Sequence, residues 1–305
     1  MLRVALLLLA LAGSVHAETP AIETLSEFES EFSVGGARIT VDIRDRVLRE
    51  KKDMLLEWTV YSAETVAAYY GRFPVDTVRV RVEVTGGHAV RFGQAFGGHS
   101  PSVRVVVGEN ITPRALKRDW IMVHEMVHLA MADVPVANRW WLEGLATYVE
   151  SIARAQRDHL TEEFVWNGFY HRMPQGLPQS GDRGLDRTPT WGRTYWGGAI
   201  FCMLADIEIR KLTDNRKSLK DALRGVLDAG YSMKTSATPM QIFAAADRAT
   251  GVDVLVPLYE KMKADPHPVD LDRLWLDLGV AFENDRIVYN DDAPLAHIRE
   301  AMLKS

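Results

Sequence analysis

The sequence predicts an α+β fold, with a mixed β-sheet in an N-terminal lobe and a helical C-terminal lobe. Three observations carry this prediction. Apolar residues alternate with polar ones at Ile39, Val41 and Ile43, at Val78, Val80, Val82 and Val84, and at Val103, Val105 and Val107, which reads as three half-buried strands. Stretches with helical spacing separate and follow these strands. From Thr194 onward every periodic segment reads as helix.

The elements follow in order. Residues 47–70 form a long helical stretch closed by Gly71. A glycine-rich stretch covers 86–98, and residues 86–100 read equally as a flexible hairpin or as a cleft edge to which an extended substrate adds as a strand. Thr112-Pro113 opens a helix as N-cap and first helical residue, and Leu116, Trp120, Val123, Val127 and Met131 give it one buried stripe. A further helix spans 142–155. Residues 172–193 are rich in Gly, Pro and Asp without periodicity and read as a long loop, more connector than lid. An apolar helix follows over 195–211, Ser218 to Asp221 forms a capping box, Thr238-Pro239 caps another helix, and Pro266 and Pro268 precede a last one over 271–278. The expected lobes are 18–193 and 194–305.

Composition removes several function classes. Hydrophobic residues make up 47% and charged residues 25%, a balance that excludes a disordered or fibrous chain. The net charge is -5 and basic residues are scattered, so nucleic acid is not an expected partner. Arg3, the apolar run from Val4 to Ala12 and Val15-His16-Ala17 read as a signal peptide over 1–17, cleaved after Ala17. The mature chain is therefore expected in the periplasm or outside the cell, with no stable membrane insertion. Cys202 is the one cysteine, so no internal disulfide is expected, and its apolar neighbours make it a buried thiol rather than a nucleophile.

The chemistry concentrates in His124-Glu125-Met126-Val127-His128. Four residues are about one helical turn, so both imidazoles leave one face and can bind a single ion. Glu125 follows the first ligand and can act as general base without ligating. The rest of that helix face is apolar, where two histidines and a glutamate need a reason. A catalytic zinc takes three protein ligands and keeps one open position. Glu143 is the expected third, because a return through the Pro135 turn brings it back beside the histidines. Asp133 and Glu150 compete: Asp133 follows the helix too closely, and Glu150 lies two turns further along and reads as a supporting acid.

HEMVH followed by Trp141-Leu142-Glu143-Gly144-Leu145-Ala146-Thr147-Tyr148 resembles the gluzincin metallopeptidases, and is most similar to the glycyl aminopeptidase family. Thr194-Tyr195-Trp196-Gly197-Gly198-Ala199, the later Ile209-Arg210 and Ser218-Leu219 extend the resemblance over residues 103–230. It implies a thermolysin-like metallopeptidase catalytic fold, zinc on His124, His128 and Glu143, Glu125 as base, Tyr195 as oxyanion stabiliser and Thr147 near the ligands. Arg193, Tyr148 and His171 are the substitutes for Tyr195. The family's glycine-rich motif carries a glutamate that anchors the substrate's amino terminus. Here the matching stretch, residues 92–100, keeps its glycines but has no acid, which argues against such an anchor and leaves endopeptidase activity open. His88, His99, His159, His267 and His297 are scattered and read as surface residues.

The expected function is hydrolysis of peptide bonds in a peptide or protein substrate. Two alternatives remain from the residues: a non-catalytic, peptidase-like binding module, and a zinc amidase acting on a non-peptide or cell-wall amide.

Overall fold

The computed structural model describes residues 20–304; the expected signal peptide lies outside them. β1 (Glu23–Thr24), β2 (Glu29–Val34) and β3 (Ala37–Ile43) form an antiparallel meander. Helix α1 (Lys52–Tyr70) carries the chain to β4 (Thr77–Thr85), which runs parallel to β3. β5 (Val90–Phe96) and β6 (Ser102–Gly108) complete a mixed sheet of order β1-β2-β3-β4-β6-β5, with β6 parallel to β4 and β5 antiparallel at the edge. Val80, Val82, Val103, Val105 and Val107 are buried on one face. α1 packs against β2 and β3. It buries Thr59, Ser62 and Thr65 because each hydroxyl donates to the carbonyl one turn earlier, at 2.8 Å.

The glycine-rich stretch thus contains a strand. Its glycines mask a β pattern that tertiary pairing with β6 enforces, with a bulge between Val90 and Phe92.

The helix expected from Thr112 to Met131 is two helices, α2 (Pro113–Arg118) and α3 (Ile121–His128). Asp119 is extended, and its Oδ2 accepts from the Met122 N–H at 3.1 Å, so a new helix starts there. The break turns Trp120 out of the expected stripe, and it is 49% exposed. α4 (Arg139–Ala155) and α5 (Glu162–Arg172) follow. The long loop holds short 3-10 turns at Met173–Gly176 and Leu185–Arg187 and ends in a π-helical turn, Arg193–Gly197, which contains the expected lobe boundary. α6 (Gly198–Thr213), α7 (Leu219–Asp228), α8 (Pro239–Thr250), α9 (Leu255–Met262) and α10 (Leu271–Leu278) come next. The capping box expected at Ser218 forms, and the cap expected at Thr238 proves to be a capping box too, closed by Gln241.

The C-terminal part is not wholly helical. β7 (Val280–Glu283) and β8 (Arg286–Tyr289) make a hairpin before α11 (Ala296–Leu303). Asn284 and Asp285 both take positive φ, 49° and 61°, the conformation a two-residue hairpin turn requires. That Asn-Asp pair was the available signal.

One close approach sets the geometry of the centre. α4 and α6 cross at Gly144 and Gly198, where a Cβ on Gly144 would lie 2.3 Å from the Gly198 Cα and one on Gly198 would lie 2.2 Å from the Trp140 carbonyl oxygen. Only glycine fits both positions, and the crossing brings the start of α6 beside Glu143.

Candidate metal centre

His124 and His128 lie one turn apart on α3, with ring centroids 4.9 Å apart, and both are buried. The chain turns back through Pro135 and a 3-10 turn at Val136–Asn138 into α4. Asp186, in the long loop, clamps that entry: it accepts from Asn138 Nδ2 at 2.9 Å, Trp140 Nε1 at 2.7 Å and the Tyr259 hydroxyl at 2.8 Å. Glu143, one turn into α4, places Oε2 3.3 Å from His124 Nε2 and 3.6 Å from His128 Nε2.

These residues fit a metal. Donor atoms of His124, His128 and Glu143 all lie within 4.8 Å of one another. Donors about 2.0–2.1 Å from one tetrahedral zinc are themselves about 3.4 Å apart, and the two distances to Glu143 bracket that value. Protonation agrees. Burial lowers the His124 pKa to about 4, so its imidazole is neutral at pH 7. Burial pushes the Glu143 carboxyl up, but hydrogen bonds and charge from the two histidines outweigh it and bring its pKa well below the usual range. A neutral imidazole and an ionised carboxylate are the forms that donate to a cation.

Glu125 points to the sheet edge. Its Oε2 accepts from the Ala95 N–H of β5 at 2.7 Å. Gly93, on the same strand, leaves room for it: a Cβ there would lie 2.7 Å from Glu125 Cγ and 2.3 Å from an Ile121 methyl. Burial raises the Glu125 pKa, against the pull of His128 and the Ala95 N–H. Tyr195 sits in the π-helical turn, stacked at 6.5 Å on His124 and at 5.5 Å on Trp191. Burial, with the negative charges of Glu143 and Glu125, raises its pKa to about 12, so it keeps its proton at neutral pH.

His124, Glu125, His128, Glu143 and Tyr195 therefore line one cleft of about 1060 Å³. Of the competing ligands, Asp133 lines the cleft without joining the donor cluster. Glu150 is buried against Arg154 and Ser151, a structural pairing. None of the substitutes for Tyr195 reaches the cleft. Arg193 pairs with Asp182 at 2.7 Å, the Tyr148 hydroxyl donates to Asp206 at 2.8 Å, and His171 packs on Phe282. The Thr147 hydroxyl donates to the Glu143 backbone oxygen at 2.7 Å, supporting the helix rather than a donor atom. His159 is half-buried and stacks on Tyr61 at 3.5 Å, against the expectation of a surface residue. Sequence reasoning missed Trp120, which meets His124 edge-on at 5.2 Å and lines the cleft. It also missed the Ala95 N–H, a backbone group that no residue type announces.

Neither a scan against protein-family models nor a search of curated proteins returned a match. Solved structures do match. An aminopeptidase N family protein from Idiomarina loihiensis superposes with a TM-score of 0.64 at 12% identity, over 87% of this chain and 50% of that one. An M1 zinc metallopeptidase from Deinococcus radiodurans gives 0.45 at 15% identity, over 82% and 53%. The chain shares the α+β fold of the first, and it spans about half the length of these structures.

Proposed function

We propose that the chain is a zinc-dependent peptidase of the gluzincin type. The observation that carries this is the convergence of three metal-competent donors, a base and a phenol in one cleft bordered by a free sheet edge. The likeness to an aminopeptidase N family protein supports that branch of the gluzincins over the thermolysin branch expected from the sequence. His124, His128 and Glu143 would hold the ion. When bound there, zinc supplies Lewis acidity and draws the pKa of a water towards about 7.

The chain's own residues do the rest. Glu125 accepts a proton from the attacking water at a carboxylate oxygen and returns it to the leaving amine. Burial raises its pKa above the ordinary carboxylate value, which makes it a stronger proton acceptor. The neutral Tyr195 hydroxyl donates to the oxyanion that forms, a contact worth about 3 kcal/mol. β5 is an edge strand, and an extended peptide adds alongside it at the groups not already taken, the Ala95 N–H being held by Glu125. A binding module has no use for the base held between Gly93 and Ala95, so hydrolysis is favoured over binding alone. Residues 1–17 support action outside the cytoplasm, and no helix among the described residues is long and apolar enough to cross a membrane.

Zinc content of the purified chain tests the reading. One zinc per molecule is expected in the wild type, retained in Glu125→Gln and lost or much weakened in Glu143→Ala. Glu125→Gln should hydrolyse no member of a peptide library that the wild type cleaves. A folded wild type that cannot be loaded with zinc refutes the proposal.

A further inference from the structure

The mouth of the cleft is more basic than the molecule around it. The whole chain carries a net charge of -5. Setting aside Glu125 and Glu143, the charged residues lining the cleft are Arg91, Arg139 and Lys234 against Asp133 alone. They come from three separate places. Arg91 is on the edge strand β5, and Arg139 opens α4. Lys234 sits in the turn between α7 and α8. Backbone hydrogen bonds stitch that turn to the rest of the cleft: Gly98 N–H to Met233 O at 3.2 Å, Met233 N–H to Leu129 O at 3.1 Å and Asp133 N–H to Thr235 O at 2.8 Å.

Arg139 stands nearest the chemistry. It lies one turn before Glu143, on the same face of α4. Its natural i+4 partner is that carboxylate, which is turned to the histidines instead. Among the described residues Arg139 makes no ion pair, and it is exposed. Its charge reaches the Tyr195 hydroxyl, opposing the effects that raise that phenol's pKa. Arg91 is likewise exposed and unpaired among the described residues. Lys234 reaches only Asp76, 3.5 Å away and 91% exposed, a pairing too solvated to hold it.

These charges do not serve the ion, since cations beside a cation site repel what it binds. They equally repel the α-amine of a substrate. They fit an anion. We propose that the cleft selects substrates carrying a carboxylate close to the scissile bond, and that Arg139 binds it through its planar fork of donors. This rests on the peptidase reading for the scissile bond. The carboxylate belongs either to an acidic side chain or to the substrate's C-terminus.

The test is binding without turnover. Zinc-loaded Glu125→Gln is titrated with N-acetylated peptides of one sequence in three forms: Gln with a C-terminal amide, Glu with a C-terminal amide, and Gln with a free C-terminus. Isothermal titration calorimetry reports binding. At least one acidic form should bind about tenfold tighter than the neutral form, and which one does identifies the source. Arg139→Met in the same background should bring that ratio to within about twofold, and Arg139→Lys should keep part of it. The preference should shrink between about 0.1 M and about 1 M salt.

Equal binding of all three forms, no binding of any, or an undiminished ratio in Arg139→Met overturns the proposal. Hydrolysis by the wild type is measured separately. Cleavage without acid preference leaves the peptidase reading standing and overturns this proposal, whereas acid-selective binding that Arg139→Met abolishes, without any cleavage, supports the carboxylate site and sinks the peptidase reading.

Discussion

Replacing Gly93 by alanine tests the proposed base, Glu125, separately from the proposed metal donors. The added Cβ would sit 2.7 Å from Glu125 Cγ, 3.1 Å from its Oε1 and 2.3 Å from an Ile121 methyl. Carbon atoms in contact rest about 3.5–4.0 Å apart. The Glu125 side chain must therefore withdraw by about 1 Å, which also loosens the 2.7 Å bond from the Ala95 N–H. No positive φ is involved, so the alanine backbone is unstrained, and alanine in a strand regains about 0.5–1 kcal/mol over glycine. That gain offsets part of the crowding, but the Ile121 methyl at 2.3 Å belongs to a β-branched side chain that is stiff at χ1, so a net loss of about 1–3 kcal/mol in stability is expected while the fold survives. None of the three donors is touched, so zinc stoichiometry should match the wild type. A misplacement of about 1 Å at a reacting group costs about 100-fold in rate. The assay is kcat/KM on a peptide that the wild type cleaves, run beside zinc analysis of the same preparation. Full activity in the variant would refute the role given to Glu125 and its seat. Loss of zinc along with activity would show that the damage lies at the donors instead.

Three further outcomes are expected. Gly198→Ala should gain about 1 kcal/mol of helix propensity. It would also place a Cβ 2.2 Å from a backbone oxygen that cannot rotate away, so overpacking of about 1–3 kcal/mol or more should win and lower the melting temperature; a rise in Tm would contradict the crossing described here. Tyr195→Phe should keep zinc and lower kcat about 100-fold, and an unchanged kcat would remove Tyr195 from the oxyanion role. The metal-free protein should weaken as pH falls. His124 is held at about 4 against an ordinary 6.5, so between those values the unfolded chain binds the proton and the folded chain does not. Stability is thus complete above 6.5 and declines towards 4, by up to about 3 kcal/mol from this residue. Glu143, also held below its ordinary 4.5, adds loss in the same direction below that value. Denaturant titrations at about pH 7 and about pH 5 check this, and equal stability at both would show that His124 is not held neutral by burial.

Much of the centre was legible in sequence because its rules are local. The spacing of His124 and His128 follows from helical pitch, and Glu125 follows from its place next to a donor. The strands at Val78 and Val103 and the caps at Thr112, Ser218 and Thr238 likewise depend on neighbours within one or two turns. Glu143 needed one long-range inference, a single reversal through Pro135, and short reversals are predictable.

What sequence could not supply depends on groups far apart in the chain. The strand β5 exists through pairing with β6 despite its glycines, and the seat it gives Glu125 is a backbone N–H and a missing Cβ. Asp119 splits a continuous helical pattern because its side chain captures the Met122 N–H, and Trp120 turns to the cleft as a result. Tyr195 reaches the donors only because two glycines, 54 positions apart in sequence, let α4 and α6 touch. The sequence by itself determined which donor and acid residues stand at the spacing of a metal motif; the tertiary structure decided which of them meet, because close backbone approach and burial are set by packing between elements that have no local signature.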